Sequence, residues 1–225
     1  MRERCTLDVD TVHIALQSRM PSAPHRRKPA HRYHHGDLPR AARAEALRII
    51  QTGGPEGLTL RDIAKRLGVA QSALYRHFDN KGALLAAVAG EGFVTLRREL
   101  LAAWETAPDT FTGFDAMGEA YVRFAVSYPS HYRIMFGAVA EARDVAPELE
   151  GASTDAFRVL LDALLALQRA GLVRQEDPQQ LALYVWAQSH GIAMLALTGL
   201  LPSPDAAMWL ARFANVHLQR GIASS

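Results

Sequence analysis

Residues 57–85 read GLTLRDIAKRLGVAQSALYRHFDNKGALL, and few folds accommodate that spacing. Thr59 and Asp62 are placed as a capping pair at the start of a helix with one face made of Leu60, Ile63, Ala64 and Leu67. Gly68 supplies the positive φ that a sharp exit from a helix needs. A second helix then begins near Gln71, with Leu74 and Phe78 stacked on its inner face. Ala64 is small enough to let two crossing helices approach, and Leu74 plugs the same junction, so the stretch meets the requirements of a helix-turn-helix. Opposite Leu74 lie Ser72 and Arg76, flanked by Ala73 and Tyr75. That small, polar, positively charged surface suits base edges and phosphates in a major groove. A solvated helical hairpin satisfies the same spacing, and spacing alone leaves both readings open.

The rest of the chain predicts an all-α fold of about nine helices, because strand signals are almost absent and a helical period recurs from residue 37 onward. Asp37 caps a helix carrying Ala42, Ala46, Leu47 and Ile50, which Gly53-Gly54-Pro55 stops. A longer helix is expected from Asn80 to Trp104, with a bend at Gly90 and Gly92. Met117, Tyr121, Phe124 and Tyr128 form one apolar stripe, read as core, that Pro129 ends. A short helix over Tyr132–Phe136 comes next, then a loop over 138–152. Phe157, Leu161 and Leu164 mark a helix over 154–170 that closes at Gly171. Asp177-Pro178-Gln179-Gln180 opens an uncharged helix, and Ser203-Pro204 opens a last one with Ala206, Trp209, Phe213 and Val216 on one face, running to Gly221.

Hydrophobic residues make up 49% of the 225, enough for one large domain or two modest ones. The net charge is only +2, yet residues 1–89 hold 15 Lys/Arg against 8 Asp/Glu while residues 90–225 hold 10 against 15. A basic front end facing a polyanion is expected. Residues 1–36, with PSAPHRRKPAHRYHH, have no apolar period and read as a flexible basic arm. Cys5 is the single cysteine, so no intrachain disulfide forms, and the polar opening MRERCTLDVD is unlike a signal peptide. The expected compartment is the cytoplasm. Pro178–Pro204 is long enough to span a bilayer and carries no charged residue, but Gln188, Ser189 and His190 sit near its middle and acidic Asp177 and Asp205 flank it. A helix buried in protein is the reading, with no membrane contact.

Catalytic motifs do not appear: there is no G-x-S-x-G, H-E-x-x-H or phosphate-cradling glycine loop. Ser189 and His190 are adjacent on different faces of one helix, so they form no nucleophile–base pair. No catalytic residue and no enzyme is expected. His31, His34 and His35 lack a Cys/His partner at metal-site spacing, so neither a metal nor a cofactor is expected.

The segments HHGDLPRAA and GLTLRDIAKRLGVAQSALYRHFDNKGALL, with the basic arm ahead of them, resemble the DNA-binding domain of the tetracycline-repressor (TetR) family over about residues 34–95. The resemblance implies that residues 37–83 bind DNA and that residues 84–222 form a helical ligand-binding and dimerisation domain. It implies that Gln71, Ser72, Tyr75 and Arg76 read or line the groove, that Arg61 reaches a base, and that Thr59, Tyr75, His77 and Lys81 grip phosphates. The family usually has serine or threonine where this chain has Ala70, and glutamate where it has Gly82. Further on, SYPSHYRIMFG with Trp186, His190 and Gly191 resembles the subgroup whose C-terminal domain is named for Trp-His-Gly.

The expected protein is a ligand-responsive transcriptional regulator, a repressor, bound as a homodimer to a palindromic double-stranded DNA operator. A small hydrophobic or aromatic inducer would release it. The candidate ligand contacts are Tyr121, Phe124, Trp186 and His190, and the candidate dimer interface is Trp209, Phe213 and Val216, too apolar for an exposed terminal helix. Trp186 and His190 share a helix face, either as a hydrogen-bonded core pair or as a ligand-contacting one. The alternative function is a helical protein-interaction module without sequence-specific DNA binding.

Overall fold

The computed structural model describes residues 37–138 and 147–223. The basic arm over 1–36, with Cys5 and the histidines at 31, 34 and 35, lies outside the described residues. Nine α-helices make up the described chain: α1 (Leu38–Gly53), α2 (Leu60–Leu67), α3 (Gln71–Tyr75), α4 (Lys81–Glu105), α5 (Thr110–Ser127), α6 (Pro129–Arg133), α7 (Pro147–Arg169), α8 (Pro178–Leu197) and α9 (Pro204–Ile222). A π-helical turn, Ile134–Ala138, continues α6. Among the described residues there is no strand, only an isolated bridge between Val173 and Ala223.

Local chemistry explains where most helices start. Asp37, Thr59, Asn80, Asp109, Asp177 and Ser203 each accept a hydrogen bond from a backbone N–H of the first turn, satisfying donors that have no partner within the helix. Gly54, Gly68 and Gly171 come after their helices at φ 76°, 67° and 71°, in the left-handed region that favours glycine.

Three expectations need correction. The loop over 138–152 is shorter than that: α7 already begins at Pro147, and residues 139–146 lie outside the described residues. A proline begins a helix as readily as it ends one, because the first turn needs no N–H, and Leu149 is 2% exposed in the core. Gly90 and Gly92 do not interrupt α4, which stays helical for 25 residues. Gly92 serves close packing instead: a Cβ there would meet Met135 Sδ at 2.5 Å and Cγ at 3.0 Å. The short helix expected over Tyr132–Phe136 is divided between α6 and the π-helical turn.

Helix α4 is the spine, packed on α1 at its start and on α5, α7 and the π-helical turn along its length. One apolar core runs unbroken from Ala42, Ile63 and Leu74 through Leu84 and Phe93 to Leu164 and Val185. A smaller cluster of Val122, Ile192, Ala207, Ala211 and Ala214 joins α5, α8 and α9, where the alanines let the helices lie close. Helix α6 packs on both α1 and α4, so the C-terminal helices touch the first helix directly. None of the described helices is long and apolar enough to cross a membrane.

Candidate nucleic-acid interface and ligand cavity

Helices α2 and α3 meet as the spacing requires. Thr59 Oγ1 accepts from the Asp62 N–H at 3.1 Å and donates to Asp62 Oδ2 at 2.7 Å, which fixes the first turn of α2. Ala64, Leu74 and Phe78 are buried at the junction beyond Gly68. Glu45 of α1, itself buried, takes Arg48 at 2.8 Å and Arg66 of α2 at 3.3 Å, clamping α1 to α2. Helix α3 has only five residues, and Ala70 gives it no side-chain cap.

The expected DNA-contacting residues lie around α3 and its approach. Thr59, Arg61, Gln71, Ser72, Tyr75, Arg76 and His77 are all exposed. Gln71 Nε2 lies 3.5 Å from Tyr75 Oη, the limit of a hydrogen bond. The side chains of Arg61, Ser72, Arg76 and His77 bond to no described residue, so their donors are free to meet a partner. Lys81 differs. It opens α4, where free amides favour an anion, but its Nζ donates to the Glu56 carbonyl at 3.2 Å. A phosphate would have to share or replace that bond.

A second feature is a cavity of about 290 Å³, partly open to the surface, between α4, α5, the π-helical turn, α7, α8 and α9. Phe93, Phe114, Met117, Phe136, Phe157 and Leu160 supply much of its apolar wall, and Ser153, Thr154, Ser189 and Asn215 bring polar groups. Of the four expected ligand contacts, Tyr121 and Trp186 line the cavity, while Phe124 and His190 do not. Those two sit behind the wall. Phe124 packs on Tyr128 and Tyr132 at ring-centroid distances of 5.2 and 6.5 Å.

His190 closes a hydrogen-bond cluster. Trp186 Nε1 donates to Tyr121 Oη at 2.9 Å, Tyr121 Oη lies 3.0 Å from Tyr132 Oη, and Tyr132 Oη lies 2.6 Å from His190 Nδ1. Tyr121 Oη is also 3.1 Å from that nitrogen. An indole N–H only donates, so the chain of donors runs from Trp186 through both hydroxyls and ends on a neutral imidazole. Burial lowers the His190 pKa and pushes both tyrosine hydroxyls well above their usual value. The geometry therefore makes His190 a hydrogen-bonded residue one layer behind Tyr121 and Trp186.

Sequence patterning did not single out Tyr132, Phe136 or Asn215 as site residues. Tyr132 and Phe136 are four apart after a proline, a spacing that puts two aromatics on one face. Asn215 carries no such signal, because the apolar pattern of its helix points to the outer stripe.

That outer stripe is present. Trp209, Phe213 and Val216 are 39%, 48% and 46% exposed, with the Trp209 and Phe213 rings stacked at 5.4 Å. Tyr184, Met194 and Leu195 of the neighbouring helix α8 are exposed too, as is Leu200 just beyond its end. No described residue covers this apolar surface, which is unusual for an isolated soluble chain.

Comparison with known proteins agrees with the two halves of the fold. Residues 43–88 match the family described as "Bacterial regulatory proteins, tetR family", and residues 114–215 match "Tetracyclin repressor-like, C-terminal domain", a broader description than the Trp-His-Gly subgroup. The class C tetracycline repressor protein of Escherichia coli is 38% identical over 120 residues, 52% of this chain and 51% of the repressor. The matched stretch thus spans about half the length of that relative. A solved Rhodococcus sp. RHA1 protein of unknown function is 32% identical, with a TM-score of 0.76 over 85% of this chain and 98% of that one. A TetR-family transcriptional regulator from Pectobacterium atrosepticum has a TM-score of 0.63 at 27% identity, covering 84% of this chain and 95% of its own. With both halves matched and a solved relative aligned over nearly its full length, the chain belongs to the TetR family of bacterial regulatory proteins.

Proposed function

We propose that the chain is a transcriptional repressor that binds a palindromic DNA operator as a homodimer and lets go when a small, hydrophobic or aromatic molecule fills the cavity. The observation that carries this is the pairing, on one continuous α4, of two features. At its start is a helix-turn-helix with uncommitted Arg61, Ser72 and Arg76 side chains; farther along, Phe93, Leu96 and Leu100 line an apolar cavity. Residues 37–83 form the DNA-binding part and residues 84–222 the ligand and dimer part. Gln71, Ser72, Tyr75 and Arg76 face the groove, while Thr59, His77 and Lys81 meet phosphates.

The exposed stripe of Trp209, Phe213 and Val216 supports a two-fold partner, since an identical surface covers it and doubles the recognition helices. Half-sites then lie about one helical turn apart, roughly 34–36 Å, or a multiple of it. Ligand need only bias that separation. A coupling of about 1–3 kcal/mol between cavity and DNA is enough to change occupancy several-fold or more.

Selection of bound sequences from random duplex DNA tests this. A two-fold symmetric consensus, bound with affinity that falls steeply as salt rises, is the expected result. Recovery of no consensus, with binding insensitive to salt, would leave the helix-turn-helix as a protein-interaction module.

A further inference from the structure

The polar groups of the cavity limit what it accepts. No Asp, Glu, Lys, Arg or His is among the residues that line it. Tyr121 and Trp186 present aromatic surface, but the Trp186 N–H is spent on Tyr121 and the Tyr121 hydroxyl faces Tyr132 and His190. Ser153 donates to the Glu150 carbonyl at 2.9 Å. Among the described residues this leaves Thr154 Oγ1, Ser189 Oγ and Asn215 Oδ1 as lining groups on helices with no hydrogen-bond partner, and of these only the Asn215 side chain is held by a second bond.

Asn215 is oriented. Its Nδ2 donates to the Asp115 backbone carbonyl of α5 at 2.9 Å. A carbonyl only accepts, so the amide cannot be flipped, and Oδ1 must be the atom turned the other way. Gly118, also lining the cavity, leaves room there: a Cβ at that position would sit 2.8 Å from Oδ1. The site is thus a largely apolar chamber with two rotatable hydroxyls, of Thr154 and Ser189, and one acceptor of fixed orientation, Asn215 Oδ1. Behind it, the half-buried Asp115 carboxyl takes Gln219 Nε2 at 2.5 Å and leaves Oδ1 buried without a donor, so the surroundings are poor for a second anion.

We infer that the ligand is uncharged and largely apolar and donates one hydrogen bond, from a hydroxyl or an N–H, to Asn215 Oδ1. This rests on the reading of the cavity as the effector site. A buried carboxylate on the ligand would face no cation and a fixed acceptor, whereas a neutral hydroxyl gains a partner that a methyl group cannot use. The volume, about 290 Å³, is at the low end of pockets that take drug-sized molecules, which favours one or two rings.

Three probes of nearly equal shape separate the terms: 2-naphthol, 2-methylnaphthalene and 2-naphthoate, measured by equilibrium dialysis against the full chain. The parent should hold 2-naphthol at least about tenfold more tightly than 2-naphthoate. Asn215→Leu should lower the naphthol-to-methylnaphthalene affinity ratio about tenfold while methylnaphthalene binding is kept. Should Asn215→Leu lose cooperative melting, Gly118→Ala is read in its place, because its methyl covers the same oxygen. An Asn215 that merely ties α9 to α5 would alter stability and leave the ratio unchanged, and that result overturns the inference. Binding of 2-naphthoate as tight as 2-naphthol overturns it equally. If none of the three probes binds, the reading of the cavity as an effector site falls with it, whereas binding without selectivity removes only the role of Asn215.

Discussion

The cluster of Trp186, Tyr121, Tyr132 and His190 makes a testable claim about hydrogen-bond accounting. In the parent three donors meet three acceptors, with His190 Nδ1 at the end of the chain. Tyr132→Phe removes one donor and one acceptor. Tyr121 then turns its hydroxyl to His190 Nδ1, already 3.1 Å away, and nothing is orphaned. The expected loss is that of one net hydrogen bond, about 1 kcal/mol. His190→Leu keeps roughly the same volume but deletes the terminal acceptor. Two hydroxyls share only one hydrogen bond between them, so one is left buried without an acceptor, at a cost of about 1–3 kcal/mol. In the double variant the Tyr121–Tyr132 bond is lost as well and the orphaned donor passes to Tyr121, so Tyr132→Phe should again cost one net hydrogen bond, about 1 kcal/mol. The predicted coupling is therefore close to zero, and the test lies in the order of the losses, His190→Leu exceeding Tyr132→Phe. Urea unfolding monitored by circular dichroism, at one fixed protein concentration and with m checked for constancy, measures all four proteins. A Tyr132→Phe loss as large as that of His190→Leu would refute the directional chain.

Burial lowers the pKa of both His190 and His131, so stability should be full above about pH 6.5 and fall as pH drops below the unfolded-state value toward the native ones. His190→Leu should flatten part of that slope in melts between about pH 7.5 and 5.5, and an unchanged slope would count against a half-buried neutral imidazole. Arg76→Ala should weaken operator binding by about 1–3 kcal/mol and alter base preference, whereas Lys81→Ala should weaken all duplexes alike and reduce the salt slope by about one, as read by fluorescence anisotropy. Phe213→Asp puts a charge into the exposed apolar stripe and should yield monomers with poor operator affinity. Sedimentation showing the parent already monomeric at micromolar concentration would remove the basis for that prediction.

Local chemistry was the legible part of this chain. Thr59, Gly68, Asp177 and Ser203 act within a few residues of themselves, so their roles come from spacing, as does the Ala64–Leu74 junction. The outer stripe of α9 was legible for the same reason. Contacts between distant segments were not. Tyr132 and His190 are 58 residues apart, and no local pattern encodes their 2.6 Å contact. The Met117–Tyr128 stripe shows the limit well: one apolar spacing supplies two cavity residues, Met117 and Tyr121, one core residue, Phe124, and one half-exposed residue at the helix end, Tyr128. The loop expected over 138–152 was too long at its end, since α7 begins at Pro147. Gly92 misled because a missing side chain signals a breaker and a close neighbour alike.

Helix α9 shows two unlike sides, with Asn215 and Leu218 on the cavity and Trp209, Phe213 and Val216 on the surface. That division matters to anyone wishing to retune such a protein as a biosensor. A residue changed on α9 to alter chemical selectivity sits within a turn of the apolar stripe, so a new response and a lost response arise from the same library and look alike in a reporter screen. Phe93 on α4 and Phe157 on α7 border the same chamber from helices outside that stripe. Diversity placed there samples ligand preference while leaving the outer face of α9 as it is.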